Sequence, residues 1–380
     1  MPAKGDGITK RKDGRYVGRY TVHTPDGPKR KTIYGRKYKE VEKKLAEARG
    51  DAARGIVYDD ANLKVGEYLS RWLTDCVRGT VRQRTYERYA ALVRVHLAPT
   101  FERVELAKLR PDHVRGLYRS KLDGDPEKEI TPLSPRTVLH IHRTLSKALK
   151  QAVSDGLIPR NAVASVKPPQ PRREEIRPLN RSQVRTLFEA ASDAGSEALY
   201  VVAVTAGLRR GELQGLKWDD IDLDASSAML QVRRTLSEPK GGYIFEPPKS
   251  GKGRNIRLTR KATAALKAHR KRQLEERMRL AGLWEDHDLV FPSSIGTPVS
   301  GSNLNRAFKA HLKRAGLPHS TRFHDLRHTC ATLLLRQGVN PKFVQELLGH
   351  SDIALTLNVY SHVLPDMGDA AAEAMDSALG

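Results

Sequence analysis

The pentapeptide His324-Asp325-Leu326-Arg327-His328 is the first place where side-chain types and spacing could do chemistry. Histidines at i and i+4 share one helical face, as in a zinc-binding helix. Yet Asp325 stands where a zinc hydrolase carries its general-base glutamate, and Arg327 would set a fixed cation beside the metal. His324 and Arg327, at i and i+3, also share a face, and an imidazole beside a guanidinium fork suits phosphate oxygens. Other chemistries fail on spacing. Gly251-Lys252-Gly253 lacks the upstream glycine and the following Ser or Thr of a phosphate-binding loop, and the chain has no G-x-S-x-G elbow. Two cysteines, Cys76 and Cys330, supply neither a disulfide framework nor a thiolate zinc site.

The helix does not stand alone. Thr205-Ala206-Gly207-Leu208-Arg209-Arg210-Gly211-Glu212-Leu213 lies upstream, followed by Leu216-Lys217-Trp218-Asp219-Asp220-Ile221-Asp222. Downstream, Leu347-Leu348-Gly349-His350-Ser351 precedes Thr356 and Tyr360-Ser361-His362. In these blocks, densely over about 177–363, the chain resembles the tyrosine recombinase (phage integrase) family, of the arm-binding integrase type. An A/T-G-L-R-x-x-E-L box, a lysine on a β-hairpin, H-x-x-R, and L-G-H with a tyrosine ten residues after the histidine come in the family's order. The resemblance assigns Arg209 and Arg327 as the two catalytic arginines, His324 as the third-block histidine, His350 as the position filled by His or Trp, and Tyr360 as the nucleophile. Lys249, in Pro247-Pro248-Lys249-Ser250, matches the hairpin lysine and general acid, with Lys252 on the same loop as the alternative. Glu212 is expected to buttress the site rather than react. His328 and His362 are expected to be structural, and no cofactor or metal is implied.

Elementary chemistry agrees with that set. Cleaving a phosphodiester without a metal needs another source of positive charge at the equatorial oxygens, which two arginines and two histidines supply as fixed donors. A phenol, with a pKa near 10, is a poor nucleophile until it is positioned and its proton accepted. Its attack would leave a 3′-phosphotyrosine and a 5′-hydroxyl that must be protonated as it departs.

These residues need a scaffold. The chain has 380 residues, 39% hydrophobic and 29% charged, enough for two or three cores. Its net charge of +23 points to a polyanion partner. The longest apolar stretch, near Ala198–Leu208, is too short to span a bilayer, and Met1–Asp6 shows no secretory pattern, so a cytoplasmic protein is expected. The first 39 residues carry twelve Lys or Arg against three Asp. Alternation over Arg15–Val22, turn residues Thr24–Pro28 and a return strand Lys31–Tyr34 predict a small sheet, followed by a helix from Tyr38 to about Arg54 bearing Val41, Leu45 and Ala48. Helical periodicity runs through Val65–Val77 and Arg84–Leu97. Ser134-Pro135 caps a helix that continues to Ser154. Five prolines between Pro159 and Pro178 predict a linker. Beyond it Asn180 caps a helix, Ser196–Ala206 is a buried one, and strands fall near Met229–Thr235, Tyr243–Glu246 and Asn255–Leu258.

The expected fold class is therefore multidomain: a small N-terminal β-sheet plus helix, an all-α core-binding domain, and a mixed α+β, mainly helical catalytic domain. The expected boundaries are 1–58 (arm-type DNA binding), 63–160 (core binding), 161–178 (linker) and 179–380 (catalysis). The resemblance implies a site-specific recombinase that integrates and excises a mobile element. It further implies double-stranded attachment sites as substrate, a homotetramer on DNA, and accessory DNA-bending or directionality proteins as partners. A catalytically idle DNA-binding regulator of the same fold, a metal-dependent hydrolase using His324 and His328, and a type IB topoisomerase are the rivals.

Overall fold

The computed structural model describes residues 7–24, 27–53, 62–125, 131–172, 177–193, 195–224, 227–249, 251–354, 357 and 375–380, and divides into two compact units, Met1–Arg173 and Glu174–Gly380. The first unit opens with an antiparallel sheet in the order β1 (Ile8–Lys10), β2 (Tyr16–Thr24), β3 (Gly27–Gly35). It has one strand more than the alternation predicts, since three residues are too few to show a period. Helix α1 (Tyr38–Ala53) buries Val41 and Leu45 against the sheet. Gly18 permits this approach, because a Cβ there would lie 3.1 Å from both side chains.

The rest of this unit is helical: α2 (Val65–Trp72), α3 (Gln83–Leu92), α4 (Ala98–Thr100), α5 (Pro111–Asp123) and α6 (Pro135–Ser154). The two helices expected to run unbroken to Val77 and Leu97 instead widen into π-helical turns, Leu73–Val77 and Val93–Leu97. In the first, the Arg78 N–H donates to the Leu73 carbonyl at 3.0 Å. Each wide turn keeps both its end residues buried. The Ser134 hydroxyl accepts from the Thr137 N–H at 3.2 Å, the cap that the Ser-Pro pair predicts. α6 turns Ile141, Leu145 and Leu149 into a core with Leu69, Leu97 and Phe101, and leaves Arg136, Arg143, Lys147 and Lys150 exposed. Ala162, Val163 and Val166, within the segment expected as linker, are buried too, the two valines in this core.

The second unit contains α7 (Arg181–Ser192), α8 (Glu197–Thr205) and α9 (Arg210–Gln214). Five short strands follow: β4 (Ile221–Asp222), β5 (Met229–Val232), β6 (Thr235–Ser237), β7 (Ile244–Glu246) and β8 (Arg254–Arg257). Helices α10 (Arg260–Leu280), α11 (Gly301–Arg314), α12 (Asp325–Arg336) and α13 (Pro341–Leu348) complete it. α8 is buried almost throughout and packs against α7, α10 and α12. The Tyr200 hydroxyl meets His311 Nδ1 at 2.9 Å within this core. The Leu179 N–H donates to Thr329 Oγ1 at 3.0 Å, tying the start of α7 to α12.

The strands form two sheets, β4-β5-β8 and β6-β7, all antiparallel. The single strand expected over Met229–Thr235 splits at Arg233-Arg234, where Arg234 donates to the buried carboxylate of Asp220 at 2.5 Å and takes the chain out of the ladder. β5 and β8 pair in register (Val232 opposite Arg254), so residues 233–253 are the connection of one hairpin and the β6-β7 pair is nested inside it. Among the described residues no helix is long and apolar enough to cross a membrane. Of the Ala-rich C-terminal stretch Asp369–Leu379, only 375–379 are described, and these are helical.

Helix α9 rides on the β6 backbone through Gly211. A Cβ there would lie 2.8 Å from the Leu236 carbonyl oxygen and closer still to Thr235 Oγ1. Gly116, inside α5, has open space at the same position. Gly211→Ala is therefore expected to destabilise the second unit by about 1–3 kcal/mol. Gly116→Ala should stabilise the first unit by about 0.4–1 kcal/mol by stiffening the unfolded chain. Urea denaturation followed by tryptophan fluorescence, with Trp72 in the first unit and Trp218 and Trp284 in the second, separates the two effects.

Candidate active site

The spacing of the Thr205–Leu213 box has a local cause. α8 ends at Thr205, and Gly207 turns the chain with φ +60°, which a side chain would rarely adopt. A Cβ on Gly207 would also lie 2.5 Å from Leu348 Cδ2. Arg209 then sits at the N-cap of α9, and Glu212 reaches back to it: the Arg209 N–H donates to Glu212 Oε2 at 2.9 Å and Arg209 Nη1 to Oε1 at 2.8 Å. Arg209 Nη2 donates to the Gly349 carbonyl at 3.1 Å.

Arg327 reaches the same place from α12. Its guanidinium donates to the carbonyls of Gly207 (2.7 Å) and Leu348 (2.5 Å), and the residue is only 3% exposed. α13 ends in a left-handed Gly349 with φ +63°, which delivers His350 just past the helix. The His350 N–H returns to the Gln345 carbonyl at 3.1 Å. The structure thus brings Arg209, Arg327 and His350 around the end of α13.

His324 is the N-cap of α12 rather than a residue within it. Its ring meets that of His328 edge-on at 5.1 Å. Partial desolvation by the surrounding walls, then the Arg327 charge, lowers the His324 pKa, and Arg209 and Arg322 act in the same sense. His328 and His350 are both held down to about 4. Desolvation leads in each, followed by the His324 ring for His328 and by Arg327 and Arg209 for His350. All three imidazoles are therefore neutral near pH 7, each with one N–H donor and one acceptor nitrogen. Among the described residues no three His, Cys, Asp or Glu side chains cluster to hold a metal ion.

Sequence reasoning missed Arg254, which opens β8. Its Nη2 donates to Glu212 Oε2 at 2.7 Å, its Nη1 to Oε1 at 3.1 Å, and its Nε to the Leu347 carbonyl at 2.7 Å. Burial pushes the Glu212 carboxyl up, but the bonds and charge of Arg254, then of Arg209, overcome it and hold the pKa below the ordinary value. No sequence signal marks Arg254, one basic residue among 67. Lys249 and Lys252 are exposed on the loop before β8, flanking Gly251 at φ +73°. Tyr360 and His362 lie outside the described residues.

What the arrangement can do follows from its charge. Two guanidiniums, Arg209 and Arg254, share one buried carboxylate and a third, Arg327, is held by backbone carbonyls at the same helix end, with neutral imidazoles beside them, so the surplus is positive and the ready partner is an anion with several oxygens. Because His328 and His350 have folded-state values below 6.5, their stabilising contribution is complete above that pH. It is lost as pH falls from about 6.5 toward 4, where folding must exclude protons that the unfolded chain binds. The Tm of the second unit is expected to fall more steeply between about pH 7 and 5 in the wild type than in His328→Gln/His350→Gln. Equal slopes in thermal denaturation would show that these histidines are not the groups responsible.

Comparison with known proteins bears on the same residues. Residues 177–367 match the phage integrase family, and residues 64–122 match the N-terminal SAM-like domain of phage integrases. The chain is 29% identical over 370 residues to a XerC-like tyrosine recombinase of Caldanaerobacter subterraneus subsp. tengcongensis, with 91% of each protein covered. It is 29% identical over 353 residues to an integrase of Streptomyces ambofaciens, covering 90% of this chain and 87% of that one. Among solved structures, the Tn1549 transposon integrase in complex with transposon right end DNA superposes with a TM-score of 0.68 at 24% identity. The match covers 83% of this chain and 100% of that one, a likeness of fold.

Proposed function

The chain belongs to the phage integrase family, and from that membership we propose that it is a site-specific DNA recombinase that cuts and rejoins double-stranded attachment sites through Tyr360. The observation that carries the reading is the convergence of Arg209 and Arg327 on consecutive carbonyls at the end of α13, with His324 and His350 beside them.

In this reading the two arginines and the two imidazoles hold the scissile phosphate and stabilise charge on its equatorial oxygens. The Tyr360 phenolate oxygen bonds to phosphorus as the bond to the 5′-oxygen breaks, giving a 3′-phosphotyrosine. Lys249, or Lys252 on the same loop, protonates the departing 5′-oxygen. Attack by another strand's 5′-hydroxyl reverses the step, so neither ATP nor a metal is consumed. Residues 179–380 would carry this chemistry, 63–160 would bind the core site, 1–58 the arm sites, and 161–178 would link them. The matches to a SAM-like domain at 64–122 and to the integrase family at 177–367 support that division. Exchange of four strands in pairs calls for four protomers on two DNA sites, acting in the cytoplasm on a mobile element, with accessory bending or directionality proteins setting the outcome.

The test is covalent adduct formation on supercoiled plasmid and on a nicked duplex built from sequence flanking the protein's own gene, both in excess EDTA. A denaturing gel should show an adduct that survives chelation and vanishes in Tyr360→Phe. Arg209→Ala and Arg327→Ala should each slow its formation about 10²–10³-fold while DNA is still bound. Binding with no adduct on its own attachment site would favour the idle regulator, and an adduct or cleavage abolished by EDTA would favour the hydrolase.

A further inference from the structure

We propose that Arg254 is a positioning residue for the cleavage step, setting through Glu212 where the Arg209 guanidinium stands. The inference rests on the recombinase reading of this site and adds a residue to it. Glu212 Oε1 accepts from both Arg209 Nη1 and Arg254 Nη1, so the two guanidiniums share one oxygen of a carboxylate whose side chain is 1% exposed. Glu212 is therefore divided between an arginine facing the site and one that is itself nearly enclosed, with a side chain 10% exposed.

Arg254 also fixes the other side of Arg209. Its Nε holds the Leu347 carbonyl while Arg209 Nη2 holds that of Gly349, two residues on. The fit is close, since a Cβ on Gly349 would lie 3.1 Å from Arg254 Nη1. Finally, Arg254 is the first residue of β8, five positions after Lys249, so the strand that ends the lysine loop is tied to the arginine cluster through it.

Without Arg254, burial acts on Glu212 with only Arg209 to oppose it. The carboxylate must then draw Arg209 inward or take up a proton, and a displacement of about 1 Å at such a site costs about 10²-fold in rate. With Arg254 present the Glu212 pKa is held low and its titration lies below the working range. Removing the arginine raises it, so a rate limb that climbs with pH should appear.

The experiment measures adduct formation on the nicked attachment-site duplex at saturating protein from about pH 6 to 9, beside DNA affinity by fluorescence anisotropy and thermal melting. Arg254→Met is expected to keep DNA affinity within about threefold, lose about 10²-fold in adduct rate near pH 7, and recover part of it as pH rises. Arg254→Lys, which keeps the charge, should regain about tenfold and a flat profile. A methionine variant that cleaves within about threefold of wild type overturns the proposal, and so does a loss equal at every pH that lysine does not relieve. Should Arg254→Met fail to fold, Glu212→Gln/Arg254→Met buries no unpaired charge and takes its place. Slow, pH-independent cleavage with DNA affinity kept supports the proposal, and a wild-type rate overturns it. An active wild type beside indifferent variants sinks this inference alone, whereas a wild type that forms no adduct sinks the recombinase reading with it.

Discussion

Three consecutive backbone carbonyls, Leu347, Leu348 and Gly349, each accept a hydrogen bond from a different arginine: Arg254, Arg327 and Arg209. These are the orphan acceptors of a helix C-terminus, where the peptide dipoles present partial negative charge, worth about 0.3–1 kcal/mol to a neighbouring cation and up to about 2 when partly buried. The three arginines come from β8, α12 and the start of α9, elements far apart in sequence. A helix end that most proteins close with water or a cap is closed here by the site itself. The fold of the second unit can be understood as whatever is needed to bring those three side chains to one turn.

The surrounding packing follows from that demand. Gly207 must be left-handed to offer its own carbonyl to Arg327. Position 349 must be glycine, because on the left-handed turn that ends α13 a Cβ would press on Arg254. Glu212 must be buried and ionised, because like charges this close repel unless a carboxylate lies between them. Removing one partner from such a buried arrangement typically costs about 3–5 kcal/mol, since the remaining charge is left uncompensated. Positive charge at the site is thus held under load by the same contacts that close the core beneath it.

The parts of this architecture that sequence shows are those with local causes. Ser134-Pro135 and Asn180 cap helices because their side chains reach backbone N–H groups within three residues. Arg209, His324, Arg327 and His350 stand out through fixed spacing, and the Arg209–Glu212 contact is an i, i+3 relation visible in the box itself. The rest depends on distant partners. The strand expected near Met229–Thr235 gives no hint that Asp220 pulls Arg234 away. Proline content hides the valines at 163 and 166 that complete the helical core. Arg254 is invisible for the same reason: its partners lie 42 and 93 residues away.

The depressed imidazoles carry one more consequence. His350 and His324 are held neutral in part by the fields of Arg327 and Arg209. An anion seated on those guanidiniums cancels the field that keeps protons away, so anion binding and proton uptake must favour each other, and by the same free energy in both directions. Occupancy of the site is in this sense a chemical potential for hydrogen ions. Substrate brings its own negative charge, and with it the means to recruit a proton where none resided before.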